Sequence, residues 1–531
     1  RFDFRDAGLR WTTLVKSSEL PRIEGNQLHY AVTLEPRASW TLRIDVEPYL
    51  TERISPEQSA DRAAPVTVRP TALPEPVTAS IESRYTPLSR AYERSLADLR
   101  ALRVAHPSGH MVPAAGLPWF MAVFGRDSLI TALQTLIVDS SMAYGALRAL
   151  SEYQAQTDDA FRDAEPGKIP HEIRHGRLSH QGKVPHSRYF GTADATPLFL
   201  YTLAETVNWT GDLDLARELL PAADAALGWI DKSGDLDGDG LVEYQRRSHQ
   251  GLVNQGWKDS HDSINFANGQ PAEGPIALCE VQGYVYQAKR AMSRLYRELG
   301  DNSRATLLQE QAALLRRQFN EQFWLPEKNF IALALDGNKR PVDAVSSNMG
   351  HCLWSGIIDR DKAAHVARRL MADDMYSGWG VRTLSSDMAA YNPVSYHNGS
   401  IWPHDNAIVA AGLARYGFKL DASRVVRGIL DAASHFPNYR LPELYAGFPR
   451  GDDDFPVEYP QANAPQAWAA GAVIMLAQTW MGVTQSTHGL RARPLPGAPA
   501  MSWRNIPYRG TQVQLNSLGR SQSAGREPLA S

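Results

Sequence analysis

Cysteine is nearly absent. Two residues, Cys279 and Cys352, serve 531 positions, and both stand in apolar helical context. They read as small buried hydrophobes, so no disulfide framework is available. That scarcity suits a reducing cytoplasm, which is the expected location. Long hydrophobic runs are missing too. None reaches the roughly 20 residues a membrane-spanning helix needs, so no membrane partner is expected. Charge of one sign is also lacking, since 55 Lys and Arg against 58 Asp and Glu leave a formal net charge of −3. Without a long basic or acidic run, nucleic acid is excluded as an expected partner. There is no Gly-x-Ser-x-Gly elbow and no parallel-sheet pattern, so Ser400, His397 and Asp405 have no seat as a hydrolase triad. His171, Glu172 and Arg174 match no standard zinc spacing, and no metal is expected there. The sequons at Asn208 and Asn398 are what chance supplies at this length. The chain opens at Arg1 inside a strand-like stretch, which reads as a fragment or a processed form.

What is present is mostly helix. Residues 1 to about 54 read as strands, with alternation clearest at Leu28–Leu34 and Ser39–Val46, and resemble the C-terminal part of a β-sandwich. A linker rich in Pro, Ala and Glu follows over about 55–84. Twelve stretches then carry helical periodicity: 86–104, 126–139, 141–157, 195–209, 213–231, 276–299, 302–322, 344–357, 360–373, 404–416, 421–435 and 465–481. Short polar turns with cap-type residues follow the even stretches. Long links rich in Trp, His, Gly and acids follow the odd ones. Such alternation predicts six helical hairpins closed into a double ring, with the long links gathered at one end where a site belongs. A short β extension near Met501–Leu515 and a disordered tail complete 483–531.

The long links hold the chemistry. The stretch Asn254–Ser263 packs Trp257, Lys258, Asp259 and Asp262 into one polar loop. A polar loop around an indole makes a poor core and a good sugar site, because the ring offers a flat apolar face while carboxylates reach hydroxyls. Asp259 reads as the general acid of a glycosidase. The first link brings Trp119 beside Arg126 and Asp127, and the second brings His171, Glu172, Arg174 and Asp194. Glu280 opens the sixth helix, and the fifth link carries Trp379, His397, Asn398 and Trp402. The sixth link holds Glu443 in a non-helical turn, the best candidate for a second carboxylate, with Glu458 as runner-up. Asp235, Asp237 and Asp239 resemble the start of a calcium loop, but Arg246 stands where its bidentate glutamate belongs. A tight acidic turn is therefore expected, with calcium as the alternative and no other cofactor.

The motifs Gly-Trp-Lys-Asp-Ser, Phe-Gly-Arg-Asp-Ser, Lys-Ile-Pro-His-Glu-Ile-Arg, His-Asn-Gly-Ser-Ile-Trp-Pro and Leu-Pro-Glu-Leu…Pro-Gln-Ala-Trp resemble those of the amylo-α-1,6-glucosidase (glycogen debranching) group over about 85–480. That group is related to the glucoamylase, trehalase and processing α-glucosidase families. The resemblance implies an (α/α)6 barrel and an inverting mechanism. It places the acid on Asp259, the base on Glu443 and the terminal-sugar contacts on Arg126 and Asp127. The remaining expected sugar contacts are Trp119, His171, Glu172, Arg174, Asp194, Trp257, Lys258, Glu280, Trp379, His397, Asn398 and Trp402. Some relatives read Gly-Trp-Asp-x-Ser. Here Lys258 precedes Asp259 and Asp262 follows closely, so both aspartates stay candidates for the acid. The expected substrate is an α-glucan, with a small α-glucoside such as glucosylglycerate as the alternative; a homo-oligomer stays open. Two other classes remain. A carbohydrate-binding toroid would keep the tryptophans and could lose the carboxylates. A phosphorylase would need a phosphate pocket, for which Lys258, Arg174 or Arg382 could serve.

Overall fold

A helix apolar on every side must be walled in by neighbours. The last long helix of this chain, Ala467–Met481, is of that kind, with Ala, Gly, Val, Ile, Leu and Trp buried around its whole circumference. A computed structural model describes residues 1–6, 9–52, 79–106, 108–486, 489–517 and 519–523. Among them twelve helices build the expected double ring: α1 (Thr86–Ala101), α2 (Gly125–Thr135), α3 (Ser141–Glu152), α4 (Ala195–Thr210), α5 (Leu213–Ile230), α6 (Cys279–Glu298), α7 (Asn302–Gln322), α8 (Asn348–Ser355), α9 (Arg360–Leu370), α10 (Pro403–Tyr416), α11 (Lys419–Ala433) and α12 (Ala467–Met481). The even helices pack α2–α4–α6–α8–α10–α12 and back to α2, closing the inner ring. Each odd helix lies against an inner one, α1 on α12 and α3 on α2. The outer helices are amphipathic. In α9 the buried residues are Ala363, Val366, Ala367 and Leu370, one stripe at helical spacing. The inner helices come close where glycine replaces a side chain. A methyl group on Gly350 of α8 would lie 2.5 Å from Val409 of α10.

Helix ends differ from periodicity where side chains or strands compete. The third helix stops at Glu152 rather than 157, because Gln154 turns to bond the carbonyls of Gly167 and Ala222. The eighth starts at Asn348 rather than 344, because Val345 and Ser347 pair with the chain at Thr383–Ser385. Two short turns are capped as expected: Asp212 accepts from the amides of Asp214 and Leu215, and Asp301 from that of Arg304. No helix among the described residues is long and apolar enough to cross a membrane. Cys279 and Cys352 are free and buried.

Residues 1–73 form a separate unit. Its antiparallel sheet joins β1 (Phe2–Asp6), β2 (Leu9–Ser17) and β5 (Ile44–Glu52) in that order, with a hairpin of β3 (Arg22–Glu24) and β4 (Gln27–His29). The expected strand at Leu28–Leu34 ends at His29, and the one at Ser39–Val46 begins only at Ile44. Alternation exists between them, but strands form where a partner lies alongside, and β2 pairs with 44–52. Most of the expected linker, residues 53–78, lies outside the described residues, as does the tail from 524.

The second unit includes β6 (Ser80–Ser83), within the stretch read as linker. It pairs with the C-terminal extension, which also holds more than one strand. A hairpin of β7 (Val483–Ser486) and β8 (Gly489–Ala492) precedes β9 (Met501–Tyr508), β10 (Thr511–Asn516) and β11 (Gly519–Ser523). The last three and β6 make one sheet, ordered β11-β10-β9-β6. A two-residue turn, Arg509-Gly510, reverses the chain with both residues at positive φ, which glycine adopts without strain.

Candidate active site

All six inner helices begin at the mouth where the long links gather, so their amide ends point at one basin and favour negative charge there. The site is built on those ends. Gly125 opens α2 pressed against the second link: its amide bonds the His171 carbonyl at 2.8 Å, and a methyl group there would lie 2.1 Å from the Pro170 carbonyl oxygen. Only glycine lets the Arg126-Asp127 turn come so near His171 and Glu172.

Arg126 is the hub of the first half of the site. Its Nη2 donates to Asp259 Oδ2 at 2.7 Å, and its Nη1 donates to Asp194 Oδ2 at 3.0 Å. Burial opposes the Arg126 charge, but Asp194, Asp259 and Asp127 more than offset it. Asp194, at the N-cap of α4, makes no capping bond; it takes Arg126 and the Thr192 hydroxyl instead. The Asp259 side chain keeps 26 % exposure, so it opens toward the basin. Burial pushes its pKa up to about 6, against Arg126 and helped by Glu172 and Asp194. Asp127, on the first turn of α2, is raised to about 8 by burial, with Glu443, Asp259 and Asp194 adding to it. At neutral pH it is largely a neutral acid able to donate a hydrogen bond to a sugar hydroxyl.

Glu443 lies in an extended stretch of the sixth link. Its neighbour Tyr445 exchanges backbone bonds with Ile401, and Glu443 N–H bonds the Asn463 carbonyl. Tyr396 Oη donates to Glu443 Oε1 at 2.8 Å. The Asn463 amide and Nδ2 donate to Oε2 at 3.0 and 2.8 Å, while Gln466 Nε2 reaches Oε1 only at 3.4 Å. Burial raises the Glu443 pKa, its hydrogen bonds pull it down, and the Asp259 charge adds to the rise. Asp259 and Glu443 thus come from different links, and the Asp259 charge is felt at Glu443. The runners-up, Asp262 and Glu458, are both exposed.

Glu172 is held by Arg174 and by His186 at 3.3 Å, and burial raises its pKa. His171 Nε2 lies 3.9 Å from Asp259, and burial lowers its pKa well below normal. Trp119 is 60 % exposed at the rim, with its amide bonded to Asn463 Oδ1 at 3.0 Å.

Several expected sugar contacts are elsewhere. Trp257 is no platform. His351 stacks on it at 5.7 Å, and His397, Trp402 and His404 meet it edge to face, so other rings cover the indole. Lys258 points away from the basin to the Thr383 carbonyl, and burial lowers its pKa to about 8. Glu280 is 1 % exposed with Oε1 unpartnered among the described residues. Trp379 packs under Arg450, whose guanidinium lies 4.1 Å from the ring centre. Trp402 stacks on His397, and its Nε1 donates to the Tyr396 carbonyl. His397 is 1 % exposed and bonds Ser260 through Nδ1, and Asn398 Nδ2 donates to the Asp262 carbonyl. These residues brace the wall behind Asp259 and Tyr396. The reason is common to all: rings from the fifth link, α8 and α10 converge on the loop that sequence shows alone. The triad candidates also part company, with Ser400 on the Tyr396 carbonyl, His397 on Ser260 and Asp405 on His351.

Sequence reading missed Tyr396, Asn463 and Gln466. Tyr396 stands one position before the motif His-Asn-Gly-Ser-Ile-Trp-Pro, and Gln466 lies inside Pro-Gln-Ala-Trp. Asn463 lies just before Pro465, and nothing in the linear pattern marks it as a partner for Glu443.

In the acidic turn, oxygens of Asp235, Asp237 and Asp239 lie within 4.8 Å of one another. Lys339 Nζ bridges Asp237 at 2.9 Å and Asp239 at 2.7 Å, and also reaches Glu243. The Lys339 ammonium thus offsets part of the negative charge of this turn. A chelator is therefore expected to leave Tm unchanged, whereas Lys339→Met should lower it by a few degrees, roughly 1–2 kcal/mol, with calcium restoring part of the loss. Differential scanning calorimetry checks both; a chelator-induced drop in the native chain would contradict the reading.

A family model described as the mannosylglycerate hydrolase MGH1-like glycoside hydrolase domain matches residues 126–445. No curated protein matches the chain significantly. Among solved structures, the GH63 mannosylglycerate hydrolase from Thermus thermophilus is similar at 16% identity and TM-score 0.55, covering 73% of this chain and 99% of that one. The GH78 rhamnosidase of Bacillus sp. GL1 is similar at 14% identity and TM-score 0.59, covering 82% of this chain. A sialidase is similar at 12% identity and TM-score 0.60, also over 82% of this chain. This chain spans 40% of the rhamnosidase and 38% of the sialidase. These likenesses show a shared fold. The family match spans Arg126, Asp259 and Glu443 and more than half of the sequence, and by it the chain belongs to the MGH1-like glycoside hydrolases of the six-hairpin type.

Proposed function

We propose that the chain is an inverting hydrolase of a small α-glycoside whose leaving group is a hydroxy acid of the glycerate type. The observation that carries this is the pair Asp259 and Glu443, deep carboxylates on separate links at one mouth of the ring. Asp259, raised to about 6, protonates the departing oxygen. Glu443 activates a water on the opposite face of the sugar. Its four acceptor positions are filled by three good bonds and the 3.4 Å contact from Gln466, and water displaces that long contact. Arg174, with 41 % side-chain exposure over the rings of Phe120 and Phe124, supports a carboxylate-bearing leaving group. The family description and the Thermus thermophilus enzyme, named for mannosylglycerate, support the same class.

The second reading, debranching of an α-1,6-glucan, is favoured by the exposed Trp119 at the rim, a surface on which a longer chain could lie. Phosphorolysis is disfavoured: of the three cations considered for a phosphate, Lys258 and Arg382 donate to backbone carbonyls. Turnover of mannosylglycerate, glucosylglycerate and a branched limit dextrin, each with and without phosphate, tests the choice. Preference for the glycerate glycosides without phosphate dependence is expected. Turnover of the dextrin alone would favour debranching.

The mechanism needs Glu443 ionised and Asp259 protonated, so activity should fall as pH rises past about 6. Tyr396→Phe removes a hydrogen bond that favours ionised Glu443. The Glu443 pKa should rise, moving the acid limb of the kcat/KM profile to higher pH by roughly half a unit to one unit. An unmoved acid limb would take Tyr396 out of that role.

A further inference from the structure

One cavity lies away from the carboxylates. It occupies about 560 Å³ at the opposite mouth of the ring, between the C-terminal halves of α2, α4, α10 and α12 and beneath the start of β7. Its chemistry is mixed in an ordered way. One wall is aromatic: Trp354 of α8 meets Tyr201 of α4 edge to face, with ring centres 5.6 Å apart. Trp354 is half-buried, so part of its indole stays open. At the inner end lies Gln134, which is 1 % exposed, and both of its amide atoms lack a partner among the described residues. An unsatisfied buried amide is costly, and a ligand hydroxyl that both donates and accepts would satisfy it. The rim is cationic, carrying the exposed Arg415, Lys419 and Arg493. The single acid of the lining, Glu205, is held by Arg294 at 3.0 Å.

We infer that this cavity is a second binding site, for a sugar bearing an anionic group. The ring packs on Trp354 and Tyr201, a hydroxyl meets Gln134, and the phosphate or carboxylate sits among the rim cations. An apolar wall with a few convergent polar groups is what a pyranose requires. The cationic rim selects the charged form over the neutral sugar. Positive side chains near helix C-termini also offset the helix dipoles, but that role accounts for neither the cavity nor the unpartnered amide.

The test is calorimetric titration of the whole chain in its Glu443→Gln form with glucose 6-phosphate, glucose and inorganic phosphate. Glucose 6-phosphate should bind at this mouth more tightly than either of the others. Lys419→Glu combined with Arg493→Glu should weaken that binding on the order of tenfold, given the size of such charge interactions near a surface. Trp354→Ala should weaken glucose 6-phosphate and leave phosphate binding as it was. Charge-reversed protein with the native Tm serves as the check on folding. Equal affinity in the charge-reversed protein would overturn the site, as would loss of binding when a competitive inhibitor fills the catalytic basin. Equal affinity for phosphate and glucose 6-phosphate would overturn the assignment to a sugar. An absence of binding by all three at millimolar concentration would overturn it altogether.

Discussion

Glu443→Gln is expected to lower kcat by roughly 10³–10⁴-fold while changing sugar affinity little. The substitution keeps the shape of the side chain and most of its bonds. The glutamine oxygen still accepts from the amide and Nδ2 of Asn463, and its new NH2 faces the Tyr396 hydroxyl, which can accept as well as donate. What disappears is the basic oxygen that would take a proton from water. Because Glu443 is 2 % exposed and its pKa is raised by burial, the neutral amide should also be no less stable than the native side chain at neutral pH. Steady-state kinetics with calorimetric titration of the released sugar separates the two effects. A variant within tenfold of native kcat would remove Glu443 from the chemistry.

The second large effect depends on the substrate. Asp259→Asn should lose about 10²–10⁴-fold on a glycerate glycoside, whose leaving oxygen needs a proton. On a glycosyl fluoride or nitrophenyl glycoside, whose leaving group departs without one, the loss should be about tenfold or less. The asparagine oxygen still accepts from Arg126 Nη2, so Arg126 and Asp194 should keep their places. Glu443→Gln gives no such recovery, because every leaving group needs the activated water. Asp262→Asn is the control. Its side chain is exposed, and its structural bonds run through its backbone carbonyl to Asn265 and Asn398, so near-native rates are expected on both substrate types. Equal losses for Asp259→Asn on both substrates would show that its carboxyl is not the proton donor.

Periodicity made the ring legible in the sequence because each helix declares its own buried face. The stripe Ala363, Val366, Ala367 and Leu370 is visible without a neighbour, and the alternation of short and long links then orders the hairpins. The pairing of Ser80–Ser83 with Met501–Tyr508 was hidden, because β pairing joins residues far apart in the chain. At the site, Arg126 and Asp259, which two motifs single out, meet in space, and Asp194 of the second link joins them. Trp257 and Lys258 belong to the same motif as Asp259 and face the other way. Composition says that an indole in a polar loop can hold a sugar, but not that His351, His397, Trp402 and His404 reach it first. Asn463 fails for the opposite reason: a small amide between two alanines carries no linear signal, though it fixes both Glu443 and the backbone of Trp119.

The most direct test of the account is proton NMR of the sugar as it leaves a glycerate α-glycoside, read before mutarotation scrambles the anomers. Asp259 as acid and Glu443 as base for water predict that the β-anomer appears first. An initial α-anomer would mean retention through a covalent intermediate, and the water-activating role of Glu443 would be wrong.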